Sequence, residues 1–192
     1  NFLLFKMMYL LSVFLLLLPY FNVASEGSTC VCTTVPCPVV GKNYLTFGGG
    51  GSATYNYEAH GSYIVVVSAT ATISNADLNK GTDTTSCTQQ YSRNLDDDGV
   101  QDCDAGHILA NRLGGWGNHT INIFPQDLSI NRGAYAQYEN SIYDCISSGA
   151  SSAKLNWTFT YASSTRTKPE KVAYTASFTG GSCTSLSQTF TN

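Results

Sequence analysis

Residues 104–139 carry side chains that together could run a hydrolysis. Asp104-Ala105-Gly106-His107 sets one histidine behind a carboxylate; Leu113-Gly114-Gly115 follows, then Asn122-Ile123-Phe124-Pro125-Gln126, then Asn131-Arg132-Gly133-Ala134-Tyr135, with Glu139 eight residues after Asn131. A neutral histidine takes up a proton near pH 7, because its unperturbed pKa is about 6.5. Amide and carboxylate oxygens suit a hard cation that keeps most of its waters and needs few protein ligands. A base and a hard cation meet the needs of a phosphodiester. The attacking water must lose a proton, and negative charge must be stabilised on the phosphorus oxygens and on the leaving oxygen. His107 is the candidate base. A lone histidine is more often a satisfied structural residue, and His60 and His119 keep that reading.

These residues need elements to position them. Over 131–147, Tyr135, Tyr138, Ile142, Cys145 and Ile146 recur every three or four residues, which predicts a helix with one apolar face, N-capped by Asn131 and stopped near Gly149. Segment 107–110 reads as the end of a short strand or the turn after it. The β-branched run 62–74 predicts one or two strands. Leu155, Trp157, Phe159 and Tyr161 alternate with polar residues, as do Val172, Tyr174, Ala176 and Phe178, so 154–161 and 171–179 read as half-buried strands joined by a long hairpin loop. Residues 26–55 read as an irregular entry segment and 75–100 as polar and turn-rich. The fold class expected is α+β: an antiparallel sheet with one main helix over about 131–147.

The motifs taken together resemble the DNA/RNA non-specific endonucleases, a family whose active site is built on a ββα-metal core. The resemblance covers about forty residues strongly and extends to Tyr161, Arg166, Pro169 and Tyr174 as the family's closing hairpin. It implies that His107 activates water, Asn131 holds the metal, Asn122 assists at the site, and Glu139 contacts metal-bound water. It also implies Mg²⁺ or Mn²⁺ as cofactor, DNA and RNA as substrates cut with little sequence preference, and 5′-phosphate products. Without the resemblance, Asn131 reads as a helix cap, and Glu139 as a solvated residue or a partner of Arg132. The chain departs from the family where Ala105 replaces an arginine common before Gly106. A phosphate-contacting arginine must then come from elsewhere. Arg93 is the candidate, with Arg132 beside the metal asparagine as the other, and a solvated surface charge is the bland reading of either.

The rest of the chain sets the compartment. Lys6, the apolar run 9–21 and the small residues Val23, Ala24 and Ser25 read as a secretory signal peptide over 1–25, with Met7 or Met8 as the start, ahead of one nuclease-like domain over 26–192. All seven cysteines lie beyond it, which in a secreted chain implies disulfides with connectivity left open and one thiol over. The Cys30-x-Cys32-x₄-Cys37 spacing is poor for zinc. Asn118-His119-Thr120 and Asn156-Trp157-Thr158 are glycosylation sequons, of which Asn118 is the better placed. The net charge of −3 argues against tight nucleic-acid storage but not against a nuclease whose cation bridges protein and phosphate. No stable membrane association is expected after signal cleavage. Asn94, Asp96, Asp98, Gly99 and Asp102 resemble the front half of a calcium loop, yet Ala105 stands where the closing glutamate belongs. The acidic turn reads as solvated, and a structural Ca²⁺ there is the competing reading. The alternative function is a non-catalytic secreted binding module on the same fold, with calcium as its stabilising ion; the presence of both His107 and Asn131 favours the enzyme.

Overall fold

The structure, a computed structural model, describes Cys30, Cys32 and residues 35–97 and 103–192. Residues 1–25, read above as a signal peptide, and the acidic residues Asp98 and Asp102 lie outside the described residues. Strands β1 (Gly41–Thr46), β2 (Ser52–His60), β3 (Tyr63–Ile73), β6 (Ser152–Thr160), β7 (Lys171–Thr179) and β8 (Leu186–Thr191) form one antiparallel sheet in the order β1-β2-β3-β6-β7-β8. A separate ribbon pairs β4 (Cys103–His107) with β5 (Ile123–Asp127). Helix α1 (Ser86–Leu95) precedes β4. Helix α2 (Ala136–Ser147) follows β5 through a single turn, Leu128–Ile130, and a π-helical stretch, Asn131–Tyr135.

One face of the sheet is apolar, and the hydrophobic effect seats α2 and the ribbon on it. Ala53, Tyr55 and Tyr57 of β2, Leu155, Trp157 and Phe159 of β6, Val172 and Tyr174 of β7, and Phe190 of β8 are buried there against Tyr135, Tyr138, Ile142 and Ile146. The strands expected from alternation are present, as is the long hairpin: Lys171 pairs with Thr160 and Phe178 with Ala153. A smaller core of Val65, Tyr91, Leu95 and Ile123 holds α1 against the ribbon.

Three expectations need correction. Residues 75–100 contain α1, whose buried face includes Thr88 and Ser92 as well as Tyr91 and Leu95. A helix buried through hydroxyl groups carries little apolar periodicity, so it read as turns. The entry segment holds β1 and the start of β2. Asn131 is not the N-cap: the Asp127 carboxylate accepts hydrogen bonds from the backbone N–H groups of Ser129 and Ile130, so the helical path starts four residues earlier.

Disulfides join Cys30 to Cys37, Cys32 to Cys87, and Cys145 to Cys183, leaving Cys103 as the free thiol. They tie the entry segment to α1 and the end of α2 to the β7–β8 connection. No helix among the described residues is long and apolar enough to cross a membrane.

Candidate active site

His107 ends β4, and several independent contacts fix the chain around it. Asn122 is fully buried on the adjoining turn. Its Oδ1 accepts from the Leu109 N–H (2.9 Å) and the Tyr55 hydroxyl (2.8 Å), while its Nδ2 donates to the Leu109 carbonyl (2.9 Å) and the Trp116 carbonyl (3.4 Å). Every polar position of that amide is therefore used inside the protein. This corrects the expectation that Asn122 acts at the site: it cannot reach a substrate, and its part is to clamp the segment that follows His107. The Leu-Gly-Gly run serves the same clamp. Leu113 is buried, and a Cβ on Gly115 would lie 1.7 Å from the Leu109 carbonyl oxygen. Gly106 makes room for Gln126, whose Oε1 a Cβ there would meet at 2.3 Å, and not for a substrate.

The His107 ring has one hydrogen-bond partner, the Thr82 carbonyl, 3.1 Å from Nε2. A carbonyl only accepts, so Nε2 carries the hydrogen and Nδ1 keeps its lone pair. Burial lowers the pKa of His107, against smaller upward pulls from the Thr82 carbonyl and the Asp83 carboxylate. The ring is therefore held neutral, as a base must be. Gly117 lies flat against it, with room for no side chain: a Cβ there would meet Nε2 at 2.3 Å and the Thr82 oxygen at 2.7 Å. His60 and His119 lie elsewhere. His60 Nδ1 donates to the Arg166 carbonyl (2.6 Å), and His119 packs on Trp116.

Asn131 and His107 both line each of two clefts. Asn131 Nδ2 donates to Asp104 Oδ2 (2.8 Å), which leaves Oδ1 as the atom for a cation. Arg132 grips the same carboxylate through Nε and Nη2, each at 2.9 Å. In an unbroken α-helix, the eight-residue step to Glu139 would turn the two side chains about 80° apart. The π-helical stretch Asn131–Tyr135 breaks from helical angles at Gly133 (φ −110°, ψ −106°), and across that kink Asn131 and Glu139 line the same cleft. Tyr135 anchors the kink, its hydroxyl accepting from Trp157 Nε1 at 3.0 Å.

Glu139 lines the first cleft together with His107, Asn131 and Arg112. Its Oε1 is buried and has no hydrogen-bond partner among the described residues. Burial pushes the carboxyl up to about 8, with the Arg112 guanidinium pulling the other way. A buried carboxylate oxygen without a donor, beside a free amide oxygen, fits a hard cation that keeps its waters. No cluster of three or more His, Cys, Asp or Glu side chains able to hold a metal occurs among the described residues.

Arg93, on the last turn of α1, lines the second cleft with Ala105, Asp104 and Arg132. Asn118 is half-buried beside the His107 loop, its Oδ1 accepting from the Thr82 hydroxyl, while Asn156 lies in β6 with its Nδ2 donating to Thr175. The described half of the acidic turn has its oxygens engaged within the protein. Asp96 pairs with Lys168 at 3.4 Å, and Asp97 accepts from the backbone N–H groups of Thr167 and Lys168 and pairs with Arg166. Sequence reasoning passed over Arg112, although it stands five residues after His107 and directly before Leu-Gly-Gly.

Residues 51–180 match the DNA/RNA non-specific endonuclease family. The chain is 40% identical over 116 residues, 60% of its length, to the "probable deoxyribonuclease RhsA" of Dickeya dadantii (strain 3937), and spans 8% of that protein. A solved structure of NucA from Streptococcus agalactiae with magnesium ion bound aligns with 84% of this chain and 77% of its own, at 13% identity and a TM-score of 0.49. With the match reaching from β2 to the end of β7 and enclosing every residue of the two clefts, the chain belongs to the DNA/RNA non-specific endonuclease family.

Proposed function

We propose that the protein is an endonuclease that hydrolyses phosphodiester bonds of DNA and RNA with little sequence preference, using one divalent cation, Mg²⁺ or Mn²⁺. The observation that carries this reading is the meeting of three groups on one cleft: a neutral histidine with Nδ1 free, an asparagine with Oδ1 free, and a buried glutamate oxygen without a partner. Family membership and the word deoxyribonuclease in the relative's name support nucleic acid as substrate.

In this mechanism Asn131, through Oδ1, and Glu139 would hold the cation. The bound cation supplies charge stabilisation for the phosphoryl and leaving oxygens. His107 Nδ1 takes a proton from the attacking water. The new P–O bond forms as the P–O3′ bond breaks, leaving a 5′-phosphate and an O3′ that takes a proton from solvent water to become the 3′-hydroxyl. Asp104 orients the Asn131 amide, and Arg93 serves as a phosphate contact from the α1 side. Three disulfides support an oxidising, extracellular setting, where Asn118 and Asn156 would be the glycan acceptors.

Incubation of purified protein with plasmid DNA and with RNA tests the reading. Both are degraded in Mg²⁺ and neither in excess EDTA. Digestion that ignores chelation would overturn the metal, and no digestion of either polymer would overturn the nuclease. A second test addresses the ring support. Gly117→Ala drives a methyl into Nε2 and the Thr82 carbonyl, displacing the base. The expected cost is about a hundredfold in rate with a cooperative melting transition retained. An alanine variant of full activity would mean that this packing does not set the ring.

A further inference from the structure

We propose that Arg112 is the residue that anchors the phosphodiester under attack, taking the place left by the missing arginine at Ala105. The inference rests on the reading of the cleft given above and adds the group that holds the substrate's own charge.

Arg112 sits on a short 3₁₀ turn, Asn111–Leu113, whose last residue is fully buried. That burial, with the close seat of Gly115 on Leu109, fixes where the arginine leaves the backbone. The side chain reaches the same cleft wall as His107, Asn131 and Glu139. The guanidinium carbon stands 4.0 Å from the centroid of the Tyr143 ring, and Nη1 donates to Asn140 Oδ1. Stacking on an aromatic face and one neutral acceptor hold the group in place without neutralising it.

The contrast with the other cations near the site decides the choice. The Arg132 guanidinium is bound in parallel by both oxygens of Asp104 and is largely exposed. Arg166 pairs with Asp97 and Lys168 with Asp96. Arg93 is exposed, and Nη2 donates to Gln90. Among the described residues no carboxylate lies within salt-bridge distance of Arg112, and its Nε is buried without an acceptor. A half-buried guanidinium with unmatched donors is costly unless an anion completes it. The non-bridging oxygens of a phosphodiester are such acceptors, and a guanidinium offers them paired N–H donors that an ammonium cannot. His107 and Asn131 form the shared wall of the two clefts, so a phosphate between them has Arg112 on one flank and Arg93 on the other.

The test separates phosphate binding from a merely structural role. Arg112→Ala is expected to lower kcat/KM on single-stranded DNA about a hundredfold, and Arg112→Lys to recover no more than about tenfold of that loss. Arg112→Gln retains a side chain able to stack on Tyr143 and to donate to Asn140 while removing the charge, and it should lose as much as Ala; it serves if the alanine variant fails to fold. The binding readout uses His107→Ala as the parent, with a fluorescein-labelled single-stranded oligonucleotide in Mg²⁺ followed by anisotropy across a salt series. Adding Arg112→Gln should weaken binding at least tenfold and reduce the slope of log affinity against log salt by about 0.7, the value for one lost phosphate contact on a single strand. Equal affinity and an unchanged slope would overturn the proposal, whatever happens to the rate. A parent that neither binds nor comes from a cutting wild type would mark failure of the nuclease reading instead.

Discussion

His107→Ala is expected to reduce nucleic-acid hydrolysis about a thousandfold, within the range that positioned general bases contribute, without unfolding the protein. The ring makes a single hydrogen bond, to the Thr82 carbonyl, and the clamp around it runs through Asn122 and Gly115, which the substitution leaves alone. His107→Gln is the sharper control, because a glutamine amide can still donate to Thr82 but offers no basic nitrogen. It should be as inactive as the alanine variant. The pH profile carries the same assignment. A base works deprotonated, and burial lowers the His107 pKa below its ordinary value. The acid limb of kcat/KM should therefore fall at lower pH than for a free histidine, with the plateau holding through neutrality. Activity retained in either variant would remove His107 from the role of base.

Asn131→Ala is expected to cost about a thousandfold at low Mg²⁺, the several kcal/mol that a bound cation contributes to charge stabilisation, and to regain part of it as Mg²⁺ is raised. Asn131→Asp should not be the improvement that a charged ligand suggests. The Asn131 amide donates to Asp104 Oδ2 at 2.8 Å. An aspartate there would remove the donor and set two carboxylates in contact, which raises the pKa of one of them and turns the ligand away. Mg²⁺ titration of the rate, with Mn²⁺ in parallel, reads both variants. A wild-type Mg²⁺ dependence in Asn131→Ala would mean that the cation sits elsewhere.

Much of the scaffold could be read from the chain because its signal is local. Trp157 and Tyr174 alternate with polar neighbours, since a strand on one face of a sheet buries every second residue. Tyr138, Ile142 and Ile146 recur at helical spacing because α2 lies on that face. Helix α1 escaped because Thr88 and Ser92 fill buried positions that apolar residues usually hold. Asn131 read as a cap because an asparagine before a helical run is indistinguishable, by type, from one that opens a π-helical stretch.

What the sequence determined by itself about this protein is an antiparallel α+β scaffold and the family, with His107, Asn131 and Glu139 as its candidate site residues, all carried by short-range pattern. The tertiary structure decided which polar groups are satisfied. Asn122 and Arg112 both lie within fifteen positions of His107, and the sequence does not say which of them is satisfied within the protein. Folding brings Tyr55, Leu109 and Trp116 around the first, saturating its amide within the core. It brings Asn140 and the face of Tyr143 to the second, with Glu139 on the same cleft, leaving a guanidinium with no salt-bridge partner among the described residues. Hydrogen-bond satisfaction depends on partners distant in the chain, so the assignment of one residue to the clamp and the other to the substrate exists only in three dimensions.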